Sequence, residues 1–282
     1  DEPKRLVKLA NPMSRESEWL RPNPVPGLLR AVALNLRQGA TSVRLFEVGA
    51  GFVASDGPLP QERLMVAAVL VGPRLRHTHD PVPTAPKGAY DPRGELDFAD
   101  AKGLWEAWLA EMRVDATSWR PYAADGWKSG ASAEVAVGAS RIGWAGRLAQ
   151  GLLGSWEIEA TVHLFVALLE PLAEGASAVI RARVPGRFPP VRRDLAFFVP
   201  RGTSHAAVEQ QLRGAASDLL HSIELFDVYE GPGTPAGMRS LAYALQFQHA
   251  ERTLTEAEVH EVQSRMVTAV VQGCGGQLRE RA

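Results

Sequence analysis

The sequence predicts an α+β chain in two parts, and three observations carry that prediction. Stretches of alternating apolar residues, suited to strands, interleave with stretches of helical period. All seven tryptophans lie at or before Trp156 and no lysine follows Lys128, so the composition changes partway along. Beyond residue 186 the two kinds of stretch fall in the order βαββαβ.

The chain has 282 residues, long for one compact domain and comfortable for two. Its 45% apolar and 22% charged content is ordinary for a soluble globular protein and leaves ample material for a core. A net charge of -1 excludes a general polyanion or membrane binder, so any contact with an anion has to be local. Cys274 is the single cysteine, which rules out an internal disulfide and fits a reducing compartment. With no leader-like stretch and no apolar run of bilayer length, a cytoplasmic location and no membrane partner are expected. The chain opens on Asp1 and its first residues read like the middle of a protein, so a longer parent polypeptide is expected.

In the first part, PGLLRAVALNLRQG predicts a helix. Pro26 sits in its first turn, Leu29, Val32, Ala33 and Leu36 share one face, and Gly39 marks the stop. SVRLFEVGAGFV and RLMVAAVLVG predict strands joined by a Pro/Gly loop, and 76–94 a long loop. FADAKGLWEAWLAEM predicts a second helix, with Ala101, Trp105, Trp108, Leu109 and Met112 at helical spacing. SAEVAVGASRIGWAG reads as a hairpin and TVHLFVALLEPL as a final strand. Residues 173–190, rich in small residues and closing on Pro-Gly and Pro-Pro, read as the junction, with the boundary at Gly186.

The second part begins with the strand PVRRDLAFFVP. Thr203 or Ser204 then caps a helix with Val208, Leu212 and Ala215 on its buried face. HSIELFDVYEG is a strand, GPGTPAGM a turn-rich loop and SLAYALQFQH another strand. Thr255 and Glu258 form a capping box for a helix buried through Val259, Val262, Met266 and Val270, and GGQLRER is a last short strand. This is the ferredoxin-like plan, a sheet with helices on one face and the other face open.

Alternation assigns the faces. Leu241, Tyr243, Leu245 and Phe247 turn to the helices, with Ser240, Ala242 and Ala244 outward. By the same reading Phe226 and Val228 point in, with Asp227 and Tyr229 out. Leu195, Phe197 and Val199 point in, with Ala196 out, and Leu278 points in, with Arg279 out. A flat, small and polar face with one tyrosine suits single-stranded RNA, whose bases stack on rings and offer their edges.

RFPPVRRDLAFFV, LFDVYEGPGTPAGMRSLAYALQF, RTLTEAEV and a closing Gly-x-x-Leu-Arg resemble the C-terminal domain of the bacterial phenylalanyl-tRNA synthetase β subunit. NPMSRESEWLRPNPVPGLLRAVALNLRQG with VRLFEVGAGF resembles the domain before it. The resemblance covers nearly the whole chain. It implies a class II synthetase-like domain with a mixed antiparallel sheet at 1–186, catalytically silent and facing the α subunit. A ferredoxin-fold anticodon-binding domain follows at 187–282. It further implies an α2β2 heterotetramer that joins phenylalanine to its tRNA with ATP and magnesium, all chemistry residing in α. No catalytic residue, metal ligand or cofactor of its own is then expected in this chain, nor DNA as a partner. Carried over by position, the RNA-binding residues are Ala196, Asp227, Tyr229, Ser240 and Arg279, the set that alternation places on the open face. Tyr229 stacks on an anticodon base, and Asp227 and Ser240 bond to base edges. Ala196 leaves room and a backbone group, and Arg279 bonds or pairs with phosphate.

Residues 125–146 depart from the family pattern, which usually carries a His-Pro-Gly-Arg-like run there. The family's upstream editing and OB-like modules are absent. Arg44 and Glu47 lie on a strand, but no Gly-x-Gly-x-Gly-x-Glu-Arg run follows, so an ATP clamp is incomplete. His77, His79 and Asp80 lack a further ligand cluster for a metal. Gly49-Ala-Gly51 lacks the third glycine and the helix of a dinucleotide site. Cys274 has no base placed beside it. Arg192 and Arg193 read either as RNA contacts or as solvated charges, with Asp194 a ready partner. Ten arginines against eleven acids from Arg187 onward favour a rival reading, a stand-alone protein-interaction module that kept the fold without RNA. An enzyme acting alone is a further alternative, opposed by the missing ATP motif.

Overall fold

A computed structural model of the chain describes residues 6–14, 18–75, 94–114, 117–176 and 187–279. Nearly all of the loop expected at 76–94, with His77, His79 and Asp80, lies outside them. So do the boundary at Gly186 and the last residues of the final predicted strand. The described residues fall into two compact units, one before 177–186 and one after it.

The first unit holds strands β1 (Val43–Val53), β2 (Gln61–Val71), β3 (Thr117–Pro121), β4 (Trp127–Val137), β5 (Ser140–Leu148) and β6 (Val162–Leu168). They form one sheet in the order β1-β2-β6-β5-β4-β3, and every pairing is antiparallel. Both faces are covered. Helix α1 (Val25–Arg37) and the short α3 (Gln150–Gly154) bury Leu28, Leu29, Val32 and Leu153 against Met65, Ala67, Val69 and Leu164. On the opposite face α2 (Phe98–Glu111) and α4 (Leu169–Gly175) bury Trp105, Leu109 and Leu172 against Val66, Ala68, Ile142 and Phe165. Burial on both faces is why β2 and β6 read as nearly unbroken apolar runs. Met112, placed by spacing on the buried face of α2, lies at its C-cap and is 37% exposed.

The stretch read as a final strand ends at Leu168 and continues as α4. Pro171 sits in the first turn, where its missing N–H costs nothing, and the Glu170 carboxylate reaches back to accept from the Leu64 N–H at 2.8 Å. Gly49 and Gly51 lie within β1, not after it. A Cβ at Gly51 would stand 2.2 Å from the Pro22 carbonyl oxygen, so the glycines let residues 21–22 pass close to the strand. Arg44 donates to the carbonyls of Pro73 and Arg74 at 2.7 and 2.9 Å, and Glu47 pairs with Arg21.

The second unit runs β7 (Val191–Pro200), α5 (His205–Ala215), β8 (Leu220–Tyr229), β9 (Met238–Phe247), α6 (Glu256–Cys274) and β10 (Gln277–Leu278). Its sheet order is β10-β7-β9-β8, all antiparallel, which is the ferredoxin-like arrangement. Ser204, not Thr203, caps α5, accepting from the Ala207 N–H at 3.1 Å. The expected capping box forms at α6. The Thr255 hydroxyl accepts from the Glu258 N–H and the Glu258 carboxylate accepts from the Thr255 N–H at 2.9 Å. Hydrogen bonds from Arg252, then from the Thr255 backbone and hydroxyl, hold the Glu258 carboxyl well below the usual carboxylate range. Gly275 closes α6 at φ 61°, in the left-handed region. Leu195, Phe197, Val199, Leu241, Tyr243, Leu245 and Phe247 pack beneath Val208, Leu212, Val259, Val262, Met266 and Val270, as alternation requires.

Two expectations follow from the first unit. A Cβ on Gly143 would stand 1.9 Å from the Val166 carbonyl oxygen and 2.6 Å from the ring of the fully buried Trp105. Gly143→Ala should therefore lower stability by about 1–3 kcal/mol, read as a shift in the urea midpoint. His163 is 3% exposed, and among the described residues its Nδ1 has no hydrogen-bond partner. Burial pushes its pKa below the ordinary 6.5, opposed by Asp97 and aided by Arg147. The unfolded chain takes up a proton there that the folded chain refuses. This stability is thus full above pH 6.5 and is lost as pH falls below it. Urea midpoints compared at pH 7.5 and 5.5 should fall less for His163→Leu than for the parent.

Candidate nucleic-acid interface

The open face of the second sheet is built on β9, the one strand paired along its whole length on one side and most of it on the other. Residues directly opposite each other in antiparallel strands share a face, so the register lays out rows. One row runs Tyr229, Ser240, Phe198, Gln277. The next runs Asp227, Ala242, Ala196, and behind it come Glu224, Ala244, Asp194 and then Ser222, Gln246, Arg192. Small side chains occupy the β9 position of every row but the last. Ser240 is 1% exposed and Ala242 6%.

The register thus brings Ala196, Asp227, Tyr229 and Ser240 into two adjacent rows. Arg279 joins them: its N–H donates to the Ala196 carbonyl at 2.8 Å and its Nη1 to the Ser240 hydroxyl at 3.4 Å. The Ala196 carbonyl is therefore already engaged, and what Ala196 leaves is room. The guanidinium also lies over the Phe198 ring, 5.8 Å from its centre. Among the described residues the Asp227 carboxylate makes no hydrogen bond or ion pair. Tyr229 is 39% exposed and its hydroxyl donates to the Pro232 carbonyl at 3.1 Å.

Three inward assignments are corrected here. Ile223 and Leu225 are the β8 residues that pack on the core, and Phe226 is not among them. A bulge between Leu225 and Asp227 puts Phe226 and Asp227 together opposite Ala242, so Phe226 belongs to the open face. Val228 and Leu278, also expected inside, are 44% and 41% exposed on the two edge strands and lie outside the core. Phe198 follows from the phase of β7, since its neighbours Phe197 and Val199 are buried. No sequence signal locates the bulge that takes Phe226 out of the inward phase.

The arginine pair divides by face. Arg193 turns to the helices and grips Glu256, in the first turn of α6, through both carboxylate oxygens at 2.5 Å. Arg192 turns to the open face and meets Asp194 at 3.5 Å. It borders an open groove of about 620 Å³ between Arg192–Ala196 of β7 and Leu278–Arg279.

A ferredoxin-like sheet backed by helices on one face, in the same chain as a unit built on a six-stranded antiparallel sheet, defines a two-part α+β protein of the kind the sequence predicts. Residues 1–167 match the phenylalanyl tRNA synthetase beta chain CLM domain, and residues 186–279 match the ferredoxin-fold anticodon binding domain. The chain belongs to the phenylalanyl-tRNA synthetase beta chain family. It is 36% identical over 278 residues to the phenylalanine–tRNA ligase beta subunit of Moorella thermoacetica, covering 98% of this chain and 33% of that protein. To the same subunit of Xanthomonas axonopodis pv. citri it is 36% identical over 267 residues, covering 94% and 32%. To that of Bacillus cereus it is 32% identical over 282 residues, covering 98% and 33%. The chain thus spans about a third of the length of the curated relatives it matches.

Because Arg193 ties β7 to α6 while Arg192 is spent on the open face, truncating the two should have different effects. Arg193→Ala should lower stability by about 0.2–1 kcal/mol, limited by solvent around Glu256. Arg192→Ala should leave the denaturation midpoint almost unchanged.

Proposed function

We propose that this chain is the non-catalytic β-subunit portion of a phenylalanine–tRNA ligase, with domains at 1–186 and 187–282. The first scaffolds the catalytic α subunit of an α2β2 assembly, and the second holds the anticodon stem-loop of phenylalanine tRNA on its open sheet face. The observation that carries this reading is the pair of adjacent rows joining Tyr229, Ser240, Asp227, Ala196 and Arg279 over a floor of small side chains. Each residue has a task that its chemistry fits. The Tyr229 ring offers a stacking surface, and an anticodon base on it keeps its edge free for hydrogen bonds. The Asp227 carboxylate accepts from a base amino or imino group. The Ser240 hydroxyl both donates and accepts. Arg279 is held over Phe198 and supplies the positive charge that a phosphate or a base acceptor requires.

ATP and magnesium enter this proposal only through the α subunit. Among the described residues no three His, Cys, Asp or Glu side chains gather to hold a metal ion, and the sequence offers no complete ATP clamp. The proposed workplace is the cytoplasm. No described helix is long and apolar enough to cross a membrane.

The test is a titration at low salt with phenylalanine tRNA and with the same tRNA carrying a substituted anticodon, using the parent chain and Tyr229→Ala. Stacking of one base predicts that either change weakens binding by roughly 5- to 150-fold. Binding that ignores both changes reduces the contact to sequence-independent charge. No binding by the parent favours the protein-interaction reading.

A further inference from the structure

Tyr229 ends β8, and the chain turns straight back beneath its own ring. A Cβ built on Gly231 would stand 2.3 Å from the Tyr229 hydroxyl oxygen, 2.4 Å from Cζ and 2.8 Å from Cε2. The glycine therefore lies directly against the ring, with no space for even a methyl group. One residue on, the Pro232 carbonyl accepts the tyrosine hydroxyl at 3.1 Å. The turn is itself fixed: Thr234 N–H donates to the Gly231 carbonyl at 3.2 Å, and Met238 N–H to the Pro235 carbonyl at 3.0 Å. Gly233 and Gly237 take φ of 89° and 76°, which only glycine adopts readily. Arg201 N–H then ties the Gly237 carbonyl to the end of β7 at 3.1 Å.

We propose that Gly231 is a positioning residue for nucleobase binding, and that it sets the height and tilt of the Tyr229 ring above the sheet. The proposal rests on the RNA reading of the open face and deepens it. The ring touches Gly231 on one side and hangs from Pro232 by its hydroxyl, which leaves its other side for a base. A ring held in this way loses little freedom when a base arrives, and preorganisation of that kind raises affinity without adding a contact. A methyl group at position 231 meets the far end of a side chain, not the backbone. The ring swings away at small cost to the fold, but it no longer stands where the base comes. Gly231 thus separates stability from binding, which few positions next to a binding residue do.

The first measurement needs no RNA. The chain has four tyrosines, so ring-labelled tyrosine gives a short set of NMR signals, and loss of one in Tyr229→Phe assigns Tyr229. Gly231→Ala should move that signal while the melting temperature stays close to the parent's. The second measurement is the titration with phenylalanine tRNA. Gly231→Ala should lose as much affinity as Tyr229→Ala, roughly 5- to 150-fold, and the preference for the native anticodon should fall with it. An unmoved tyrosine signal in Gly231→Ala overturns the proposal. So does parent-like binding by Gly231→Ala beside weakened binding by Tyr229→Ala, and in that case the RNA reading stands. If Tyr229→Ala itself binds like the parent, the stacking role of Tyr229 fails, and the proposal with it.

Discussion

Ile223 and Leu225 turn toward the helices, two residues apart as a strand demands. Carried on without interruption, that phase drives Asp227 and Tyr229 into the apolar layer as well. A carboxylate there lacks a partner and the sheet loses its exposed ring. The bulge after Leu225 adds one residue, resets the phase and returns both side chains to the open face opposite Ala242 and Ser240. It also turns Phe226 outward beside them. Everything that makes the face chemically distinctive on the β8 side therefore depends on a local break in the ladder. The rest of the domain, with its capped helices and apolar interior, surrounds that break and holds it in place.

The faces of β7 and β9 were legible in the sequence because the two strands pair with each other without a bulge, and a period of two then fixes every side chain. The α6 capping box was legible for a similar reason, since Thr255 and Glu258 stand at the spacing that two reciprocal hydrogen bonds need. In β8 alternation gave the right face to Asp227 and Tyr229 and the wrong one to Phe226. The apolar residues Ile223, Leu225, Phe226 and Val228 fit two phases, and only pairing with β9 decides between them. In the first unit α4 was hidden because Leu169–Gly175 continues an apolar strand without punctuation until Pro171. The partner of Arg193 was equally hidden, because Glu256 lies 63 residues away and reaches it only through the fold.

The two units solve opposite packing problems. The six-stranded sheet is covered on both sides, so its central strands are apolar throughout and glycine is needed where Trp105 presses on β5. Among the described residues helices cover the four-stranded sheet on one side, so one face of each strand is set by the core and the other is left to chemistry. Few buried contacts constrain Asp227, Tyr229 or Arg279, and their neighbours fix them by single hydrogen bonds, by a bulge or by a glycine.

That division has an evolutionary consequence. The small residues of β9 are held by main-chain pairing to strands on either side, and the open-face side chains add little to the free energy of folding. Selection for a soluble, correctly folded domain therefore scarcely touches them. If binding ceased to matter, Tyr229, Asp227 and Arg279 would drift while expression and solubility stayed constant. Substitutions at these three positions are therefore expected to leave folding intact, so that only a constraint from outside the chain would hold them.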